Sequence, residues 1–518
     1  MRWKTLAAGL ALLIVAAAVR LPALPAGLPY MTYVDEGHVL HHVVHLLAAR
    51  TWEPGSYYYG SLTLYLVAGA AVAWSPFYAA IHGHSLANDL SPSPPQYYDV
   101  LEPVDLVVIG RLVTLCFSLG VVALTGLLAR RLGGPAAGLF AAWLAALVPA
   151  LVARSAIVNV NPLAAFFVLA ALLFAEGVRD GRHGRRDAVL AGVMTGLAAA
   201  TKYPALLVCL PVALAVLLST ATWSEKLRRL LLAGGAAVAA LFIAMPALAL
   251  RTAQVIATAH AITQFYDTLK VGSYWDQAVH RAEWDLPLDH PEVGIVFLVL
   301  TAAGLAVALR HREWRRPVWG WVLFAAATLA LAMPYTFRAF RNLLALVPLG
   351  CMLAALLYAD VRRRLSHPLG LDLAAAALPV LLFAPALHQY ATYQLGIMDT
   401  RESALQWLAR HTRPDDRILF AEELAFLPGR VARLPNETTV RSWDRAWNRV
   451  WRRQFKYLVL GEVNAPDGNP LIVPEMRGWI LQNYRLEASF GSEKSPGPMF
   501  FKANKQIIYI LRRVPKPV

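Results

Sequence analysis

Long apolar runs recur along most of this 518-residue chain. Many of them reach the roughly 17–25 residues that an α-helix needs to cross a hydrocarbon core of about 30 Å. A membrane β-barrel would instead show short segments of alternating polarity. The chain is also 58% hydrophobic, whereas soluble domains are closer to half apolar. The sequence therefore predicts an all-α polytopic membrane protein.

We predict about eleven transmembrane helices. The predicted spans are residues 5–21, 106–129, 135–153, 162–178, 188–201, 203–220, 230–249, 293–309, 317–334, 342–359 and 371–390. The apolar segment 61–82 is predicted to be an interfacial helix, because counting it as a span would put every later arginine-rich loop outside. The first span could also pass for a signal peptide, but the many later spans favour a membrane anchor.

The basic residues indicate the orientation of these spans. The net charge of +15 would suggest a nucleic-acid partner in a soluble protein, but here the arginines lie in short loops between apolar runs. Cytoplasmic loops are rich in Lys and Arg, so we expect a cytoplasmic N-terminus in the inner or plasma membrane. The loops concerned contain Arg130 and Arg131, Arg179 to Arg186, Lys226 to Arg229, Arg310 to Arg316, and Arg362 to Arg364.

The composition changes from about residue 391. The stretch "DTRESALQWLARHTRPDDRILFAEE" predicts a helix followed by a strand, with Asp399 and Glu402 at capping-box spacing. The runs "KYLVLGE" and "QIIYILRRV" are typical of strands. We expect a transmembrane domain over residues 1–391, which includes the outer loop 22–105, and a small α/β domain over residues 392–518 outside the cytoplasm.

Two adjacent acids, Asp35 and Glu36, follow the first span in "YVDEGHVLHHVVHLLAAR". Neighbouring residues on a helix point about 100° apart, so the pair is unsuited to acting as two carboxylates on one sugar. One acid acting as a base, with the other orienting it or binding a cation, fits better. The alternative is structural, because acids are stabilised in the first turn of a helix.

Four histidines follow the acids, at positions that share one helical face. With an acid they could hold a divalent metal ion, and the alternative is a polar stripe at the interface. The candidate metal ligands are Glu36, His38, His41, His42 and His45.

Several cations lie at predicted outer ends of the spans. Lys202, in "ATKYPALLV", interrupts a long apolar region, and Arg338 and Arg341 share the short outer loop of "MPYTFRAFRNLLALVPL". Arg111 is a weaker candidate of the same kind. Ionisable groups at membrane depth are functional candidates, and these could hold a lipid-linked phosphate. Snorkelling or interfacial anchoring is the alternative.

Acids and cations on separate outer loops suggest transfer of a group from a phosphate-bearing lipid. In that hypothesis, a base deprotonates an acceptor hydroxyl and the cations stabilise charge on the departing phosphate.

Residues 1–360 resemble the GT-C superfamily of membrane glycosyltransferases. The likeness is to the branch that includes protein O-mannosyltransferases and lipid A aminoarabinose transferases. It depends on the order of five loose motifs: "YVDEGHVLHH", "YYYGSLTLYLVAG", "IGRLVTL…LLARRLGG", "GLAAATKYPALL" and "FRAFRNLLALVPL". The resemblance implies an enzyme that uses a polyprenyl-phosphate sugar on the outer face and inverts the anomeric centre.

The resemblance also implies roles for individual residues. Asp35 would be the catalytic base beside Glu36, and Lys202 would contact the donor phosphate. Many family members have a second acid before the fourth span, whereas "ARSAIVNVNPLAAFF" places the amide Asn161 there. An amide can hydrogen-bond a sugar or acceptor but cannot act as a base. The further candidates for sugar or acceptor contacts are Tyr203 and His38.

We therefore expect an integral membrane glycosyltransferase that acts on a lipid, glycan or protein acceptor. The first alternative is a transporter or flippase of a lipid-linked sugar, which would need ionisable groups deep in the spans. The second is a non-catalytic, glycolipid-binding protein of the same fold. Asn161 keeps that option open, whereas Asp35, Glu36 and Lys202 argue against it.

Overall fold

The computed structural model describes residues 2–31, 34–90, 101–181, 183–267, 292–332, 340–392, 399–421, 424, 426, 428–441, 455–461, 479–480, 482–491 and 508–514. Its longer helices are α1 (Arg2–Arg20), α2 (Val34–Ala48), α3 (Leu62–His82), α4 (Val104–Leu147), α5 (Val160–Asp180), α6 (Gly184–Thr201), α7 (Cys209–Leu217), α8 (Trp223–Ala244), α9 (Thr252–Asp267), α10 (Ile295–Arg310), α11 (Arg312–Ala332), α12 (Leu346–Arg364), α13 (Leu369–Tyr390) and α14 (Thr400–His411).

The chain divides into two compact units. The helical unit comprises Met1–Leu24, His42–Leu90 and Asp105–Tyr390, and the mixed unit comprises Pro25–His41, Ser91–Val104 and Ala391–Val518. The boundary between His41 and His42 therefore falls within α2.

The helices confirm a multi-pass membrane protein. In the described part of the chain, six helical segments are long and apolar enough to cross a membrane: Leu6–Ala23, Leu62–His82, Val104–Leu147, Val160–Asp180, Trp223–Ala244 and Leu369–Tyr390. Two shorter apolar segments, Tyr203–Leu217 and Ile295–Arg310, fall on further predicted spans. Helix α3, which we predict to be interfacial, is by length and composition also able to span.

Two predicted spans, 106–129 and 135–153, merge into the 44-residue helix α4. The helix kinks at Gly134, where φ is +85° and ψ is −177°. Glycine adopts a positive φ without a steric penalty, and Pro135 removes a backbone donor at the next position. The bend therefore replaces the loop that the sequence suggested at this point.

A second boundary falls at Lys202. Helix α6 ends at Thr201, Lys202 is extended (φ −151°, ψ 119°), and a 3₁₀ segment, Tyr203–Val208, leads into α7. Proline disfavours a helical conformation in the residue before it and cannot donate a backbone hydrogen bond, so Pro204 contributes to this break. The break leaves the Lys202 side chain at the end of α6.

The predicted arginine-rich loops meet at one end of the helical unit. Arg185 and Arg229 both contact the Glu225 carboxylate. Other contacts in this group are Arg131 Nη1 to the Leu173 carbonyl, Trp314 Nε1 to the Leu132 carbonyl, Arg363 to Glu313, Arg364 to Asp360 and Arg362 to Asp372. The side chain of Lys202 lies at the other end of α6 from Arg185. The two ends of the unit thus have different polar chemistry.

The mixed unit contains a sheet in the order β2-β1-β3-β5-β4. Its strands are β1 (Arg417–Ala421), β2 (Glu437–Arg441), β3 (Tyr457–Gly461), β4 (Tyr484–Phe490) and β5 (Ile508–Arg513). Strand β1 pairs in parallel with β2 and β3, whereas β5 pairs antiparallel to β3 and β4. Every residue of β3 is buried, so β3 forms the centre of this core. The predicted strands are confirmed.

Asp399 is the N-cap of α14, as its spacing predicts. Its carboxylate accepts a hydrogen bond from the backbone N–H of Arg401 at 2.9 Å. Glu402, the other member of the predicted capping box, lies 3.6 Å from Arg430 Nε.

Candidate functional site

The Lys202 ammonium is held by two amide side chains of the helical unit. Its Nζ donates to Asn161 Oδ1 at 2.6 Å and to Asn342 Oδ1 at 2.7 Å. Lys202 follows α6, Asn161 lies in the first turn of α5, and Asn342 lies in the 3₁₀ segment Phe340–Leu343. Three segments far apart in sequence therefore converge on one half-buried cation.

Asn161 is itself oriented by Asn159, which caps α5. Asn159 Oδ1 accepts from the backbone N–H of Asn161 at 2.7 Å and from Asn161 Nδ2 at 2.5 Å. The amide nitrogen of Asn161 is thus turned towards Asn159, which leaves its carbonyl oxygen facing Lys202. Both asparagines are buried, so the pair forms a fixed mount for the ammonium.

A buried ion pair lies next to the segment that carries Asn342. Arg154 Nη2 donates to Glu292 Oε1 at 2.6 Å, and Arg154 Nη1 bonds the second carboxylate oxygen. The Arg154 guanidinium also lies 5.8 Å from the centre of the Phe340 ring. Sequence reasoning missed Asn342, Arg154 and Glu292. Arg154 lies in "ARSAIV" and Glu292 lies in "HPEVG". In each stretch the sequence shows only a charged residue beside an apolar run, which does not predict that the two residues pair.

Tyr203 anchors the loop between α2 and α3. Its hydroxyl donates to the Tyr57 carbonyl at 2.8 Å. A Cβ added at Gly60 would lie only 2.0 Å from the Ala200 carbonyl oxygen, so only glycine fits there without a shift of the backbone. The loop is therefore pressed against the end of α6 beside Lys202.

The three arginines that we predict as further phosphate ligands differ in their surroundings. Arg341 is half-buried in the same 3₁₀ segment as Asn342. Arg111 is fully buried, and its Nη1 donates to the Leu24 carbonyl at 2.7 Å. Arg338 lies outside the described residues.

The acid pair belongs to the mixed unit. Asp35 and Glu36 lie in the first turn of α2, as the structural alternative expects, and both are buried, with Glu36 fully inaccessible. Burial lowers the pKa of His38 below its usual value, and the nearby Asp35 carboxylate partly opposes that shift. His38 therefore favours the neutral form, which can both donate and accept a hydrogen bond.

The predicted metal ligands Glu36, His38, His41, His42 and His45 are all within the described residues. In that part of the chain, no group of three or more His, Cys, Asp or Glu side chains has a geometry that could hold a metal ion. The geometry of these five side chains therefore does not fit a metal ion.

A second contact of the mixed unit involves the chain before the acids. The Arg401 guanidinium stacks 3.7 Å from the centre of the Tyr30 ring, and its Nε and Nη2 bond both oxygens of Asp399. Tyr30 and Arg401 are both buried. This cation–π contact ties the segment that leads into α2 to the start of α14.

The comparisons with known proteins agree with this architecture. Residues 105–250 match the family described as dolichyl-phosphate-mannose-protein mannosyltransferase. ArnT from Cupriavidus metallidurans bound to undecaprenyl phosphate aligns with a TM-score of 0.55 at 14% identity, over 97% of each chain. No match was found among curated protein sequences.

The Archaeoglobus fulgidus oligosaccharyltransferase is also similar. Its complex with Zn and sulfate aligns with a TM-score of 0.55 at 13% identity, over 94% of this chain and 72% of that one. The A. fulgidus AglB complex with an inhibitory peptide and a dolichol-phosphate aligns with a TM-score of 0.51 at 13% identity, over 88% of this chain and 69% of that one.

The fold places this chain in the class of polytopic membrane proteins that contain a helical unit and a small unit with a mixed sheet. It shares the fold of ArnT and of the A. fulgidus oligosaccharyltransferase, and residues 105–250 match the mannosyltransferase family, in agreement with the predicted resemblance to the GT-C superfamily.

The ion pair between Arg154 and Glu292 gives a test of the site's scaffold. We expect Glu292→Gln to destabilise the protein by about 3–5 kcal/mol, because it leaves the buried Arg154 charge without its carboxylate. The double variant Arg154→Met, Glu292→Met should lose much less stability, because it leaves no unpaired buried charge. The free energies of unfolding of the two variants in detergent would be compared with the parent's. Equal losses in the single and double variants would contradict this account.

Proposed function

We propose that the protein is an integral membrane glycosyltransferase. It transfers a sugar from a polyprenyl-phosphate donor to a hydroxyl of a lipid, glycan or protein acceptor outside the cytoplasm, with inversion. The N-terminus lies in the cytoplasm, and the domain over residues 392–518 lies outside. The observation that carries the proposal is the Lys202 ammonium between Asn161 and Asn342. The complexes of the structural neighbours with undecaprenyl phosphate and dolichol-phosphate support it.

The two amides suit Lys202 to a phosphate ligand. A neutral amide oxygen orients an ammonium without cancelling its charge, whereas a carboxylate would form an ion pair with it. Attraction between the ammonium and a phosphate is stronger at a half-buried position than in bulk water, because the local dielectric is lower. Asn161, where the predicted resemblance leads us to expect an acid, therefore adds no negative charge beside Lys202.

The transfer step follows from these roles. Asp35, supported by Glu36, takes the proton of the acceptor hydroxyl, and the acceptor oxygen forms a bond to the anomeric carbon. The bond from that carbon to the phosphate oxygen breaks, and its electron pair stays on the polyprenyl phosphate. Lys202 stabilises the charge that develops there, with Arg341 and Arg338 as further cations.

The remaining candidates have supporting roles in the proposal. Asn161 and Tyr203 hold Lys202 and the loop beside it, because Asn161 hydrogen-bonds Lys202 and Asn159, and the Tyr203 hydroxyl donates to the Tyr57 carbonyl. His38, in its neutral form, contacts a sugar or acceptor hydroxyl. Arg111 fixes the chain after α1 through the Leu24 carbonyl.

The donor site is tested with Lys202→Ala. We expect binding of undecaprenyl phosphate to weaken at least tenfold, because a charge-assisted contact worth about 1.5–3 kcal/mol is lost. Native mass spectrometry of the purified protein with graded lipid measures this. Lys226→Ala is the matched control, since Lys226 Nζ bonds the Leu217 carbonyl at the opposite end of the helical unit. Equal binding by both variants would rule out Lys202 as the phosphate ligand.

The role of the amide is tested at Asn161. We expect Asn161→Asp to weaken undecaprenyl phosphate binding more than Asn161→Ala does, because the new carboxylate would neutralise Lys202 and repel the phosphate. The same titration measures both. If the aspartate variant binds as tightly as the parent, the amide has no electrostatic role.

The base is tested with Asp35→Asn. We expect turnover to fall by about 10²–10⁴-fold while undecaprenyl phosphate binding is retained, because the general base acts on the acceptor alone. Release of polyprenyl phosphate from a labelled donor in membranes that contain native acceptors measures turnover, with Glu53→Gln as the control acid. Undiminished turnover would exclude Asp35 as the base. Movement of the donor across vesicles without transfer would favour a flippase, and binding without either activity would favour a non-catalytic protein.

A further inference from the structure

A groove runs between α1 and α4 in the helical unit, at the end opposite Lys202. Its free space is about 270 Å³, far more than a single water needs. Leucine, alanine, glycine and proline residues line it, and Arg130 is the one charged residue among the described residues that do so. Leu6, Leu10 and Leu127 on its walls are 47–63% exposed, so the groove opens onto the surface that faces lipid.

The floor of the groove is built from glycines. A Cβ added at Gly9 meets nothing within 4 Å, so the absent side chain leaves open space on α1. On α4, Gly126 and Gly138 face each other. A Cβ added at either glycine would come too close to the backbone carbonyl oxygen of the other. These two glycines let the two halves of α4 pack closely around the kink, and the surface they leave faces α1.

Arg130 determines what the groove would accept. It is exposed at the rim, at the end of the unit where the arginine-rich loops meet, and the described residues that line the groove include no acid. A basic residue beside an apolar cleft between transmembrane helices on the cytoplasmic side is the arrangement that recognises an anionic lipid headgroup. A second copy of the chain would supply apolar surface but would leave the guanidinium without an anion.

We propose that this groove binds an anionic glycerophospholipid, with one acyl chain between α1 and α4 and the headgroup phosphate on Arg130. The site is separate from the Lys202 cluster and is independent of the transferase proposal. It would hold a structural lipid against the first transmembrane helix.

The test uses Gly9→Phe, which fills the groove, with Gly69→Phe as the matched control. Gly69 lies on α3, where an added Cβ also meets nothing within 4 Å, and it does not line the groove. Native mass spectrometry would follow retention of phosphatidylglycerol and of phosphatidylcholine with the same acyl chains. We expect the parent and Gly69→Phe to retain phosphatidylglycerol selectively, and Gly9→Phe to lose that retention.

The headgroup contact is tested with Arg130→Gln. We expect the affinity for phosphatidylglycerol to fall about fivefold, the effect of one basic residue near the membrane surface. Arg310→Gln is the control, because Arg310 is an exposed arginine at the same end of the unit that does not line the groove.

Three results would overturn the proposal. One is equal retention of the two lipids by the parent, and another is unchanged retention in Gly9→Phe. The third is a dimer that only Gly9→Phe disrupts, which would assign the groove to a second copy.

Discussion

The cost of placing a cation among apolar helices determines much of this structure. Such a charge persists only where polar groups replace the water it has lost. Arg20 illustrates this, because its guanidinium is fully buried and donates to the carbonyls of Ala16, Ala145 and Ala146. These bonds fix the end of α1 against the end of α4. The buried carboxyl group of Glu176 differs, since neither of its oxygens has a hydrogen-bond partner within the described residues.

The partners of the cations differ between the two ends of the helical unit. Where the arginine-rich loops meet, Glu225 pairs with Arg185 and Arg229, and Asp372 pairs with Arg362, so the charges of these arginines are compensated locally. At the other end, Lys202 is bonded by two neutral amides. An amide oxygen orients an ammonium without adding a negative charge beside it, which suits an incoming anion, whereas an arginine paired with a carboxylate is suited to joining helices. This difference in partners, rather than the number of charges, distinguishes a candidate ligand site from a structural one.

Local patterns made much of this architecture predictable. The alternation of apolar runs predicted the helices, and the spacing of Asp399 predicted the cap of α14. The placement of Asp35 and Glu36 in a first helical turn also follows from neighbouring residues. Asn342 and Glu292 could not be predicted in the same way, because their partners Lys202 and Arg154 are 140 and 138 residues distant. Only packing of the helices brings such pairs together. The kink at Gly134 was also not predicted, because the local sequence "GGP" is compatible both with a loop and with a bent helix.

The mixed unit suggests why an acid pair near the N-terminus and a sheet near the C-terminus occur in one chain. Residues 25–41 group with the C-terminal residues, and Arg401 joins them through its contact with the Tyr30 ring. A first helical turn that carries two buried acids needs a rigid mount, and the loop after α1 offers little secondary structure of its own. Asp399 caps α14 and also fixes the Arg401 guanidinium. Through Arg401, the Asp399 carboxylate thereby connects the start of α14 to Tyr30, which precedes α2. On this argument, the C-terminal region contributes to the position of Asp35 even if it binds no acceptor.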